Sequence, residues 1–195
     1  MHGLINRAIQ CFLRDTYGAD FWATVAREAR LGHDGFEPML TYDPAETDAM
    51  IDAASALLHR PRESLLEDLG TYLVSHPNLE RLRRLLRFSG VTFTDFLQSL
   101  EDLPGRGRLA LPDLDLPVLE LTEEGAGQYR LTCRSPVSGA GHVVMGLLRA
   151  MADDYGALAL LDHRGVTAQG DVIGVQLLDT RFSEGRRFEL SARAI

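Results

Sequence analysis

The side chains that could do chemistry are six histidines, two cysteines, a serine beside a strand-like stretch and a run of arginines. The histidines are His2, His33, His59, His76, His142 and His163. No two stand at the spacing that brings two imidazoles onto one metal ion, so no metal site is expected. His142 stands apart, because it falls early in a helical stretch. Cys11 and Cys133 do not make a disulfide framework. Cys133 reads as a buried strand residue and lacks the cationic pocket of a reactive thiolate. Ser135, between Arg134 and Pro136, has no adjacent base to activate it as a nucleophile. Arg81, Arg83, Arg84 and Arg87 crowd one short helical stretch. They are expected to form its solvated face while Leu82, Leu85 and Leu86 turn inward, with a partner-docking patch as the second reading. There is no Walker loop, HExxH, paired-cysteine zinc spacing or GxSxG. Binding, not catalysis, is the chemistry these residues support.

Composition narrows the partners. The chain has 195 residues, with 28 acidic and 20 basic side chains and a net charge of −8. Every basic residue is arginine. A nucleic-acid binder needs clustered cations to displace counterions, so none is expected as a partner. No run approaches the roughly eighteen apolar residues of a membrane helix. The start, Met1 to Arg7, lacks signal-peptide features. A soluble cytoplasmic protein with no membrane partner is the expectation. An apolar fraction of 45% allows a sizeable core.

The first half reads as helices. Leu4, Ile5, Ala8, Ile9, Phe12 and Leu13 make one apolar stripe. Tyr17-Gly18 ends it, and Asp20 is a candidate cap for the next helix. Residues 32–42 read as a loop. Asp43-Pro44-Ala45-Glu46 offers an N-cap, a first-turn proline and a glutamate for a capping box. Pro61 opens a further helix, and 78–88 and 92–103 read as two more. Pro104-Gly105-Arg106-Gly107-Arg108 is expected to break the helix. Beyond it, 118–122, 129–133, 158–161, 172–178 and 188–190 read as strands, with a helix over 139–155. Arg164-Gly165 and Gln169-Gly170-Asp171 read as turns. The fold class is α+β: helices first, then a mainly antiparallel sheet crossed by one helix. A single domain is expected over 1–195, with lobes at 1–60 and 61–195.

Several stretches match one family in order and spacing. Met1-His2-Gly3-Leu4-Ile5-Asn6-Arg7-Ala8 fits M-x-G-x-x-N-x-A, and Tyr17-Gly18 with Trp22 is similar to Y-G-x-x-x-W. Ala53-Ala54-Ser55, Leu57-Leu58 and Leu69-Gly70 are similar to an A-A-S…G helix pair. Phe96 to Leu103 resembles F-L-x-N-L-D-x-L, Leu111-Pro112 through Pro117 a P-x-x-x-x-P turn, and Val144-Met145-Gly146-Leu147 the motif V-x-G-L. From residue 1 to about residue 150 the chain thus resembles the haem-nitric oxide/oxygen binding (H-NOX) domains of bacterial gas sensors and soluble guanylate cyclase. The resemblance implies a helical N-terminal lobe on a C-terminal lobe with a roughly four-stranded antiparallel sheet crossed by a helix, and haem between the lobes on an axial histidine. It also implies a gas on the other haem face and a separate partner, such as a histidine kinase or cyclase, that reads lobe motion.

Two departures stand out. Pro104 takes the place of the axial histidine, and proline cannot ligate iron. The family's Y-x-S-x-R, which holds the haem propionates, falls on Cys133, Ser135 and Val137, so only the serine remains. The expectation is a stand-alone sensory domain with no conventionally ligated haem and another apolar ligand between its lobes. Its pocket is expected near Leu4, Ile5, Leu97, Leu100, Pro117, Val143 and Leu147, with Pro104, Cys133, Ser135 and Val137 at the altered haem positions. The alternatives are haem on an unusual ligand (His142, Cys133 or His76) and a ligand-free interaction module. No enzyme activity is expected.

Overall fold

A computed structural model describes residues 1–88 and 90–186. Eight α-helices and four strands occupy those residues. Helix α1 (Gly3–Tyr17) starts where the His2 imidazole accepts from the Leu4 amide at 3.2 Å. It ends at Gly18, whose φ of 96° only glycine adopts readily. Helix α2 (Ala19–Glu28) follows with Gly18 itself at the cap. Asp20, expected to be the cap, instead lies within the first turn, where its charge suits the helix dipole.

Helix α3 (Pro44–Leu58) begins as the sequence dictates: Asp43 accepts from the Ala45 amide at 2.9 Å and Pro44 opens the helix. Glu46 does not complete a capping box; its carboxylate pairs with His33 at 2.8 Å. Helix α4 (Arg62–Ser75) follows Pro61, and its Arg62 binds Asp52 and Asp48 of α3. Helices α5 (Glu80–Arg87) and α6 (Phe93–Ser99) come next. A capping box of Thr92 and Asp95 starts α6.

Two corrections fall here. A 3₁₀ turn over Leu100–Asp102 leads into helix α7 (Leu103–Ala110), so the Pro104 segment does not break the chain into loop. Proline sits in the first turn of α7, where its missing N–H would have had no intrahelical partner. Arg106 and Arg108 reinforce the short helix by donating to the carbonyls of Ser99 (2.8 Å) and Pro104 (3.2 Å). The arginine stretch is the second correction. Arg83 and Arg87 are mostly buried and face Asp154, which is 2% exposed. A buried carboxylate needs cations, which outweighs the preference of arginine for water. Leu85 is consequently half exposed, while Arg84 stays near the surface beside Glu80.

The sheet contains β1 (Val118–Gly125), β2 (Gln128–Arg134), β3 (Leu158–Thr167) and β4 (Gly170–Asp179), all antiparallel in the order β1-β2-β4-β3. Helix α8 (Ala140–Tyr155) crosses the sheet between β2 and β3. The register sets Leu131 against Ile173 and Tyr129 against Val175, all buried under α8. Arg164-Gly165 is not a turn: it lies inside β3, at a bulge between His163 and Val166. The strand expected over 188–190 lies outside the described residues.

Two apolar cores result. One gathers α1 to α3 with Leu65, Leu66, Leu69 and Tyr72 of α4. The other gathers α6, the sheet and α8 around Phe96, Leu97, Leu100, Leu131, Leu148, Met151 and Ile173. Each such side chain contributes about 1.5–3 kcal/mol on burial.

Candidate functional site: the seam between the cores

The seam is built by α4 against α8. A Cβ on Gly70 would lie 2.7 Å from the Leu147 amide nitrogen and closer still to the Val143 carbonyl. A Cβ on Gly146 would lie 2.7 Å from the Glu67 carbonyl carbon and overlap its oxygen. The two helices therefore meet backbone to backbone. A glycine inside a helix costs about 0.5–1 kcal/mol relative to alanine, and this contact supplies the reason for two of them.

The expected pocket residues divide along this seam. Ile5 and Val143 pack on the first core; Leu97, Leu100, Cys133, Val137 and Leu147 belong to the second. Val143 and Leu147, one helical turn apart on α8, thus touch different cores. Pro104 is buried, and Pro117 and Ser135 are half-buried. Leu4 is 37% exposed and belongs to neither cluster. The segment carrying Pro104 is tied to the sheet, because Glu101 accepts from the Leu121 amide of edge strand β1 at 2.9 Å.

The polar groups near these positions have partners of their own. The Ser135 hydroxyl accepts from the Val137 amide at 3.1 Å. Arg134 turns to Glu120. The His142 ring stacks on His163 at 4.3 Å, and its Nδ1 lies 3.5 Å from Glu67. His76 lies against Tyr72 with ring centres 4.6 Å apart, and its Nδ1 is buried without a hydrogen-bond partner. Tyr72 donates to Asp15 at 2.7 Å, and burial followed by that contact holds its hydroxyl protonated well above the usual range.

Cys133 is 1% exposed, and burial, aided by the charge of Asp171, pushes its thiol up to about 12. Iodoacetamide at pH 8 should therefore leave Cys133 intact in the folded chain and label it only in denaturant, as peptide mass spectrometry would read. Rapid native labelling of Cys133 would contradict this burial.

Among the described residues, no group of three His, Cys, Asp or Glu side chains is placed to hold a metal ion. None of their helices is long and apolar enough to cross a membrane. A separate groove of about 550 Å³ lies between the end of α2 and α3, floored by Ala49, Ala53 and Ala56. It includes none of the expected pocket residues.

Residues 2–159 match the sequence profile of the haem-NO-binding family. The chain belongs to the haem-NO-binding family. Soluble guanylate cyclase 89Da of Drosophila melanogaster is 22% identical over 174 residues, covering 89% of this chain and 26% of that protein. Soluble guanylate cyclase gcy-31 of Caenorhabditis elegans is 25% identical over 154 residues, covering 79% of this chain and 22% of that protein. The chain thus spans about a quarter of the length of such cyclases. An H-NOX protein from S. oneidensis shares the fold with a TM-score of 0.78 at 16% identity, covering 93% of this chain and 98% of that one. One from K. algicida gives 0.75 at 18% identity, covering 97% and 100%.

If Pro104, Cys133, Ser135 and Val137 stand at the family's haem positions, as the sequence motifs imply, they fit that cofactor poorly. Pro104 presents a saturated ring and no donor atom for iron. A pair of propionates needs cationic or hydroxyl donors, and among Cys133, Ser135 and Val137 there is one hydroxyl and no cation. Periodicity had no means of finding Glu67, Asp154 or Asp171, whose partners lie far away in sequence or on another element. The mid-helix glycines Gly70 and Gly146 were the readable signal of a close helix contact.

Proposed function

We propose that this chain is a sensory domain of H-NOX fold that has given up the iron–histidine bond. It reads another apolar ligand at the seam between its cores and relays the change to a signalling protein such as a kinase or cyclase. The observation that carries this reading is Pro104: buried, in the first turn of α7, and without any atom that binds iron. Membership of a haem-binding family with both core clusters retained supports a binding role over a purely structural one. Loss of polar contacts with apolar lining kept favours a ligand that is itself mostly apolar. Lobe motion about the α4–α8 contact is the route by which occupancy would reach a partner.

Mass spectrometry under native conditions tests the ligand directly. The purified chain should carry an added mass that denaturing solvent releases as an apolar molecule. A bare chain in every preparation would favour the ligand-free interaction module.

Haem on an unusual ligand is the second reading, and one observation favours it. The buried, unpartnered Nδ1 of His76 is a nitrogen with lone-pair or donor capacity to spare. Loss of bound haem on His76→Ala would identify that ligand.

A further inference from the structure

Four titratable side chains meet where α4, α8, β3 and β4 converge, two of them, Glu67 and His142, on the helices that build the seam. His163 Nε2 lies 2.9 Å from Asp171 Oδ1. Its Nδ1 accepts from the Gly165 amide at 3.3 Å. Its ring stacks at 4.3 Å and 20° on His142, whose Nδ1 faces Glu67. Glu67 in turn binds Arg149 at 3.0 Å, and Asp171 Oδ2 accepts from the Gly141 amide at 3.4 Å. From β2 the Cys133 thiol stands opposite Asp171, and Arg134 is turned to Glu120. On β3 itself Arg164 and Asp162 pair with each other, and Arg164 also with Glu124. Nearly parallel stacked rings cannot both aim a nitrogen at one metal ion, so this is not a metal site.

We propose that His163 is a proton-operated pin for the β3 bulge. A backbone N–H only donates, so the bond from Gly165 assigns Nδ1 of His163 as the acceptor and places the ring proton on Nε2, toward Asp171. A second proton has only Nδ1 to occupy. There it faces the Gly165 N–H, donor against donor, and that bond is lost. The ring stays in place, because its Nε2–H still bonds Asp171, which the N-terminus of α8 also holds. The bulge is what gives way. Gly165 sits at φ 98°, a backbone state without side-chain support of its own. Since β3 is an edge strand, the freed amide becomes available for pairing. The charge also faces the stacked His142, so the change reaches α8 and, through Glu67, α4. Histidine is the side chain whose charge changes between pH 5 and 8.

The test uses the full chain, labelled with ¹⁵N. Long-range proton–nitrogen correlations should show His163 as the Nε2–H tautomer at pH 8. Protection of the Gly165 amide against exchange, corrected for its intrinsic rate, should fall about tenfold from pH 8 to pH 5.5, the equivalent of one lost hydrogen bond. His163→Gln should abolish that fall, whereas His142→Phe, which keeps a stacked ring, should retain it. An Nδ1–H tautomer at pH 8, a pH-independent Gly165, or the same fall in His163→Gln would overturn the proposal. If His163→Gln does not fold, the tautomer and the wild-type Gly165 profile decide alone.

Discussion

Gly146→Ala should destabilise the chain by about 3 kcal/mol, lowering Tm by about 6–12 °C in thermal unfolding followed by circular dichroism. One added methyl group is a small change in most helices and is favoured by helix propensity. Here it would meet the backbone of Glu67, which cannot rotate away as a side-chain tip can. Relief requires α8 to move off α4, which also opens the contact of Gly70 with Val143 and Leu147. Both cores lose packing, because α4 supplies Leu65, Leu66, Leu69 and Tyr72 to one and Val74 to the other. Gly105→Ala serves as the control, since a Cβ there meets nothing within 4 Å. Equal Tm values for Gly146→Ala and the parent would show that the helices are not in backbone contact.

Asp154→Ala should cost about 3–5 kcal/mol, the price of leaving buried cations unmatched. Asp154 stands 2.6 Å from Arg83 and 3.6 Å from Arg87, both largely withdrawn from water. The Arg87 guanidinium lies 3.8 Å above the Tyr155 ring, and the Asp154 carbonyl accepts from the Arg87 side chain and the Arg186 amide. Removing the carboxylate therefore strands charge at the point where α5, the end of α8 and residue 186 converge. Asp153→Ala, at an exposed neighbouring position, should change stability by less than about 0.5 kcal/mol in the same urea titration. Equal midpoints for the two variants would mean that the arginines find water instead.

The helices and their order were legible because apolar spacing and caps are local signals. Asp43-Pro44 and Thr92 mark their helix starts directly. The strands under α8 were legible from alternation. Pro104 misled because proline ends a helix only from its interior, and nothing local announced the 3₁₀ turn that makes it a first-turn residue. Gly165 misled because glycine marks bulges as well as turns. Arg83 and Arg87 misled because their partner is about seventy residues away. For the site, the pocket residues rest on the family resemblance and apolar periodicity, and Val143 and Leu147 among them lie against different cores. Those signals point to Leu4 as well, although that side chain is substantially exposed. The partners of His142, Glu67 on α4 and His163 on β3, become visible only in three dimensions.

The haem positions carry the central claim, and a visible absorption spectrum tests it. The chain, expressed with excess haem precursor and purified, should show no Soret band of appreciable strength. Nitric oxide should leave its spectrum unchanged. A strong Soret band at near one haem per chain, shifted by the gas, would contradict the account.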